Sequence, residues 1–408
     1  METKAKNGCF IILYILLTAL SCLSIFDGMP TALKLCHVVI IGIAFLSFVF
    51  AMDCRYLHII KDFSARYFYF LLMIFLITNI IWVMNLSGIE NILRGYEKFA
   101  YQLIVIFAVI SACYLFKEKA VDYTFWGFVL FNCISMLMAL KRTGLAASIE
   151  DIRTFLTTFG DAHGFMKLLE LHDAAFCFGM FALYYILFDS RKRWGYRFIS
   201  LFFFLLGFKR IGIAAFMVAI SASFLTKRMA KEALRNACLL AGFIIMILGF
   251  IYIIITYDDI FSQIMNFFGI DTMGRNDLYD FVKEFYYIGI TYKGQGFEFI
   301  TLLFQNAEYG TLNMAKIGAL HNGFLTVYIE FGFIGFFIWN GFWLLSHMNW
   351  ISRYGKETLR LYLVLTLYLF ITYLTDNTAF YFYTGIIYRL LPLAFALHFR
   401  QEDLYGYN

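Results

Sequence analysis

An all-α, polytopic membrane protein is the fold class this sequence predicts, and three observations predict it. Of the 408 residues, 62% are hydrophobic and 15% are charged, with a mean hydropathy of +0.74. Soluble domains hold about 45–50% apolar and about 25% charged residues. Apolar runs recur along the whole chain, most of them near the ~20 residues that a helix needs to cross a hydrocarbon core of about 30 Å. Proline, which breaks helices, occurs only twice.

The runs lie near 9–26, 33–52, 66–86, 99–116, 123–140, 173–189, 237–256, 322–346, 359–375 and 380–398. The first follows Lys4 and Lys6, as a signal peptide would. It has no small-x-small cleavage site, and Ala19-Leu20-Ser21-Cys22 is a poor lipobox, so an uncleaved first helix is expected. Basic clusters at Lys4/Lys6, Arg55/Lys61/Arg66, Lys117/Lys119, Arg191/Lys192/Arg193/Arg197, Lys227/Arg228/Lys231/Arg235 and Arg353/Lys356/Arg360 alternate with loops poor in positive charge. The positive-inside rule places these clusters, and both termini, in the cytoplasm. The loops 141–172 and 257–320 then face outward.

The segment 198–226 lies between two of the basic clusters. One span would put a cluster outside, and two full spans need about 40 residues. A hairpin of two short helices entering from the cytoplasm fits, with Lys209-Arg210 at its tip. Its first arm reaches about 16 Å at 1.5 Å per residue. That sets Arg210 within the membrane thickness, on the floor of an outward-facing cavity. With the hairpin, about twelve transmembrane helices are expected in a single integral domain, 1–408. No Gly/Ser/Pro-rich linker divides the chain.

Several function classes drop out. The eight cysteines are scattered singly without a CxxC pair, so no disulfide framework or zinc site is indicated. The net charge of +5 suits a basic cytoplasmic face and does not point to nucleic acid. Gly294 and Gly296 lack the strand–loop–helix setting and the Lys-Ser/Thr of a nucleotide loop. Among the outer acids Asp258, Asp259, Asp271, Asp277, Asp280 and Glu284, the adjacent pair reads as a solvated turn rather than a Mg²⁺ site. No metal or cofactor is expected.

The polar residues of the outer face are the candidates for chemistry. His321 opens a helix in this reading. It is either a general base, held neutral by the helix N-terminus, or an interfacial capping histidine. Arg210 and Arg275 are candidate anion clamps, since guanidinium forks match phosphate oxygens and keep their charge at depth. For Arg275 the solvated-loop reading is the simpler one, whereas the topology favours the clamp reading for Arg210. Glu330 lies about 13 Å into its helix, and Arg389 at similar depth in the last run. They are read as a buried ion pair holding two helices together. Gly332, Gly335 and Gly341 read as close-packing positions. The loop 141–172 adds Lys141, Arg142, Arg153, His163, Lys167 and His172, part lid and part solvated surface.

Three elements then resemble the bacterial O-antigen polymerase and O-antigen ligase family, which includes Wzy-like polysaccharide polymerases. They are Lys209-Arg210-Ile211-Gly212 on a short helix pair; Gly274-Arg275 followed by Gly294-Gln295-Gly296-Phe297; and His321-Asn322-x-x-Leu325-x-x-x-x-Glu330-x-Gly332-x-x-Gly335. The resemblance covers about 195–346. The family often has Ser-Arg where this chain has Lys209-Arg210, and Trp where it has Tyr279.

The resemblance implies a metal-independent inverting glycosyltransferase of the bacterial inner membrane, its active site facing the periplasm or cell exterior. The implied donor is an oligosaccharide on undecaprenyl pyrophosphate, joined into O-antigen or capsule. It implies His321 as the base on the acceptor hydroxyl and Arg210 and Arg275 as ligands of the pyrophosphate. Lys209, Asn322, Glu330, Arg389, Arg142 and Arg153 are supporting candidates. A chain-length regulator protein is the partner implied. Polymerase is preferred to ligase, which would transfer the glycan to lipid A-core, because polymerases vary more in sequence. A lipid-linked oligosaccharide flippase is the alternative of another class, and the long one-sided loop argues against it.

Overall fold

The computed structural model describes residues 2–51, 56–158, 164–207, 209–269, 274–306, 308–309, 312–313 and 319–405. Arg55, His163 and Asp271 lie outside these residues. All ten apolar runs fold as helix, consistent with an all-α membrane protein. Six helical stretches among the described residues are long and apolar enough to cross a membrane. One of them, Ile89–Thr143, holds two of the expected runs, which meet at the turn Lys117–Lys119. Four further apolar helices, Asp173–Leu187, Trp194–Leu206, Arg210–Thr226 and Phe382–His398, are shorter. Length and composition single out these six stretches and do not establish the expected count of twelve. Exposed apolar side chains such as Phe45, Leu72, Phe224 and Leu240 line the helices, as residues facing acyl chains do.

The chain forms two compact units interleaved in sequence: Met1–Ser64, Ile104–Ser221 and Tyr381–Asn408 make one, and Ala65–Leu103 and Ala222–Phe380 the other. In the first, Glu2–Cys22 packs on Ala120–Thr143. Gly127 permits this, because a Cβ there would meet Thr18 at 2.7 Å, and Tyr14 Oη bonds Thr124 Oγ1 at 2.7 Å. Asp173 secures the start of Phe382–Tyr405. Its carboxylate accepts from the backbone N–H groups of Tyr383 (2.9 Å) and Thr384 (2.7 Å).

The basic turn before Trp194–Leu206 is ordered by carboxylates. Arg193 donates two bonds to Asp122 (2.6 and 2.9 Å) and one to Asp189 (3.0 Å). Burial would raise the Asp189 carboxyl, but its bonds to Arg193 and Arg191 bring it below its ordinary range. The helices Trp194–Leu206 and Arg210–Thr226, of 13 and 17 residues, are the two short helices expected on either side of Lys209-Arg210.

In the second unit the central helix is Gly323–Gly341, buried without interruption from Gly323 to Gly332. It continues as a π-helical stretch, Phe342–His347, and then as Met348–Ile351. The helix Lys231–Tyr257 lies against it. A Cβ at Gly242 would meet the Leu344 carbonyl, and one at Gly249 the Phe324 ring at 2.6 Å. The backbone is therefore admitted only where side chains are missing.

The region 257–320 is not a plain loop. It carries helices Ile260–Phe267, Arg275–Val282 and Phe299–Asn306, and a short antiparallel pairing of Glu308–Tyr309 with Leu312–Asn313. Its apolar side chains occur at helical spacing, and Leu278, Tyr279 and Val282 are buried. The adjacent acids are not equivalent, because Asp259 pairs with Lys283, which also reaches Asp280 at 3.1 Å. Burial lowers the Lys283 ammonium, but its bonds to Asp259 and Asp280 raise it above its ordinary value.

The region 257–320 is fastened to the central helix at a break. Gly332 has φ 73° and ψ −174°, a conformation essentially restricted to glycine. The extended segment 292–296 replaces the helical bonds lost there. Gln295 N donates to Ile329 O (2.9 Å), Gly296 N to Glu330 O (2.8 Å), and Phe333 N to Tyr292 O (2.9 Å). A Cβ at Gly294 would fall 2.6 Å from Glu330 O. Gly294 thus lets this segment lie flat on the broken helix, while Gly296 makes room for the Trp82 ring.

Candidate functional site

Four chain segments of the second unit converge at the start of the central helix. Asn322 is the N-cap, its Oδ1 accepting from Leu325 N at 3.0 Å. His321 therefore precedes the helix by two residues instead of opening it. Its φ of 53° turns the ring out of the helical path. Beneath the helix start lies the turn after Lys356–Thr372. Gly323 N donates to Tyr373 O (2.8 Å) and Asp376 O (3.1 Å), and Asn322 N donates to Asn377 Oδ1 (3.1 Å). A Cβ at Gly323 would meet the Tyr373 ring at 2.9 Å, so only glycine lets the turn seat there.

This turn supplies a carboxylate. Asp376 Oδ1 accepts from Asn377 N (2.9 Å) and lies 3.9 Å from His321 Nδ1, with the His321 side chain 25% exposed and that of Asp376 5%. A carboxylate beside Nδ1 favours the tautomer with Nδ1 protonated, which leaves Nε2 able to take a proton.

Arg275 is the first residue of Arg275–Val282, with Gly274 before it at φ 76°. Its Nη2 contacts the Thr375 carbonyl at 3.5 Å, a long bond that leaves the guanidinium fork largely uncommitted. One turn on, Tyr279 is 2% exposed. Burial pushes its phenol up, offset in part by Tyr252, Arg275 and Asn322, so it remains a proton donor near neutrality. Tyr252 Oη itself donates to Leu374 O at 2.9 Å.

Two buried polar groups at this point have no partner. The Tyr279 hydroxyl is flanked by Tyr252 and Asn322 without a bond of adequate geometry, and Asn322 Nδ2 is likewise unsatisfied. Such groups cost about 1–3 kcal/mol each and are normally paired, so a cluster of them beside an uncommitted arginine is suited to a polar ligand. Tyr279→Phe is accordingly expected to stabilise the ligand-free protein by about 1 kcal/mol, read by thermal unfolding in detergent. A clear loss of stability would mean that the hydroxyl is paired.

Glu330 belongs to a separate cluster. It is 2% exposed and faces the backbone N–H groups of Glu298 and Ile300 and the Lys98–Glu298 ion pair of 2.9 Å. Its surroundings in this unit are thus the region 257–320 and the helix Ile89–Phe116, beside the break at Gly332. Arg389 belongs to the other unit, where its Nη1 donates to Gly385 O at 2.9 Å.

The remaining candidates lie in the first unit. Lys209 pairs with Glu170 at 2.6 Å, and Arg210, the first residue of its helix, is exposed. Arg142 is held by Asp27 at 3.6 Å and by the Phe26 ring, its guanidinium 4.8 Å from the centroid. Arg153 is exposed beside Glu150 at 3.7 Å. Nothing is described of the His172 side chain.

Sequence reasoning named His321, Asn322 and Arg275 but missed Asp376, Asn377 and Tyr252. The signal for the first two was present: Thr375-Asp376-Asn377-Thr378 is a polar quartet between two apolar runs. No family model matches the chain, and no curated protein matches it either.

Proposed function

We propose that this protein is a membrane-embedded glycosyltransferase that joins lipid-linked oligosaccharide units into a surface polysaccharide. What supports the reading is the convergence of Arg275, the unpartnered Tyr279 hydroxyl and the unpartnered Asn322 amide at the helix start that His321 precedes. These donors suit the oxygens of a diphosphate and a sugar. The motif resemblance supplies the substrate class, undecaprenyl pyrophosphate.

In this mechanism His321 Nε2 takes the proton of the acceptor hydroxyl as its oxygen attacks the anomeric carbon. The bond from that carbon to the pyrophosphate oxygen breaks, and inversion results. Undecaprenyl pyrophosphate leaves with the electron pair, its added charge met by Arg275. Positive charge fixed in advance stabilises such a leaving group without reorganisation. Asp376 holds the His321 ring and stabilises the imidazolium that forms. Arg210 lies in the other unit, and its role as a second phosphate ligand rests on the motif alone.

Membranes supplied with lipid-linked repeat units test the reading by release of undecaprenyl pyrophosphate and by lengthening of the glycan. Arg275→Lys is expected to cut the rate by about 10-fold or more, because an ammonium lacks the planar fork. A wild-type rate in that variant removes the clamp. A deletion strain is expected to display single repeat units on its surface acceptor. Absence of any unit would instead fit a flippase.

A further inference from the structure

A second polar recess lies at the opposite end of the central helix. It is a cavity of about 430 Å³ in the second unit, walled by Leu239 and Leu345 and edged by Arg66, Arg353, Ser346 and Asn349. The π-helical stretch Phe342–His347 supplies Leu345 and Ser346 to its lining. The extra residue per turn widens the helix there, and such bulges recur at functional sites. The Tyr362 hydroxyl steadies the stretch by donating to Trp343 O at 2.9 Å. The recess is lined from Gly341 to Arg353, whereas His321 precedes Gly323, so the two sit at opposite ends of this helix.

The recess gathers positive charge, and none of its lining residues is acidic. Arg66 projects from the helix Leu57–Asn85, its guanidinium 5.3 Å from the Phe342 ring centroid and 5.9 Å from that of Trp350. Its Nη2 donates to Ser346 Oγ, while its Nε is buried without a hydrogen-bond partner. Arg353 is close enough to repel it, and among the described residues neither arginine has a carboxylate within ion-pair distance. Two guanidinium groups in one recess at a membrane boundary are costly unless an anion lies between them.

The walls decide which anion. Leu239 lies on Lys231–Tyr257, and beside it Leu240 and Phe243 are 61% and 51% exposed. The recess thus opens onto an apolar, acyl-facing surface and not only onto water. We propose that it is a binding site for the phosphate headgroup of an anionic glycerophospholipid, the phosphate bridging Arg66 and Arg353 and the acyl chains lying along Leu240 and Phe243. The site is independent of the glycosyl-transfer reading.

The test is thermal unfolding of the purified full-length chain in a neutral detergent, with phosphatidylglycerol, phosphatidylcholine or inorganic phosphate added in turn. At about 100-fold excess over its dissociation constant, phosphatidylglycerol is expected to raise the midpoint by on the order of 5 °C, and saturably. Arg353→Gln, a change at an exposed side chain, is expected to abolish most of that rise. Arg228→Gln, at another exposed arginine of the unit, is expected to keep it. The proposal falls if phosphatidylcholine or inorganic phosphate gives the same rise. It falls equally if Arg353→Gln retains the response, or if Arg228→Gln loses it to the same degree, which would mark general charge attraction.

Discussion

His321→Ala protein is expected to lose glycan polymerisation by about 10²–10⁴-fold while still inserting and folding. That range is what a positioned base contributes to proton transfer. Folding is expected to survive because His321 precedes the helix and its side chain is partly exposed, whereas the cap is made by Asn322. The checks are the glycan ladder on a gel and the amount of variant in the membrane. Near-normal ladders from well-expressed protein would remove the base. Asp376→Asn separates orientation from fold. It keeps the shape of the turn and an acceptor for Asn377 N, but removes the charge near His321 Nδ1. Its activity is expected to fall, but less than that of His321→Ala, with the amount of variant in the membrane unchanged. A wild-type rate would make Asp376 structural only.

Gly332→Ala is expected to be the most damaging single methyl group in the chain. The backbone conformation alone costs a non-glycine residue about 1–3 kcal/mol. The added Cβ would also strike the Lys293 carbonyl. Relief requires segment 292–296 to lift, which breaks its three backbone bonds to Ile329, Glu330 and Phe333. The region 257–320 then loses its anchor, and with it the placement of Arg275 and Tyr279. A lower unfolding midpoint and new tryptic cleavage after Lys293, which is exposed, are expected together. A wild-type midpoint with an unchanged tryptic pattern would show that the break does not depend on glycine.

The sequence by itself determined the class of the protein and the positions of its helices. Hydrophobic run length is a local property, and a backbone surrounded by lipid must satisfy its own hydrogen bonds, so apolar runs become helices whatever they pack against. The short helix pair around Lys209-Arg210 was legible for the same reason, from length and flanking charge. The glycines of 294–296 and 332 were visible as a motif, but not their reason.

Only the tertiary structure decided that these glycines meet, since a pairing between residues about 40 positions apart leaves no periodic trace in either segment. It likewise decided that Glu330 sits with Lys98 and Glu298, that Asp376 stands beside His321, and that Tyr279 and Asn322 are left unsatisfied. Helix length does not decide the count of spans, because a helix of 13–17 residues is apolar enough for a bilayer yet too short to cross it alone. Local patterns fix which backbone forms, whereas charge pairing and unsatisfied donors depend on which distant segments packing brings together.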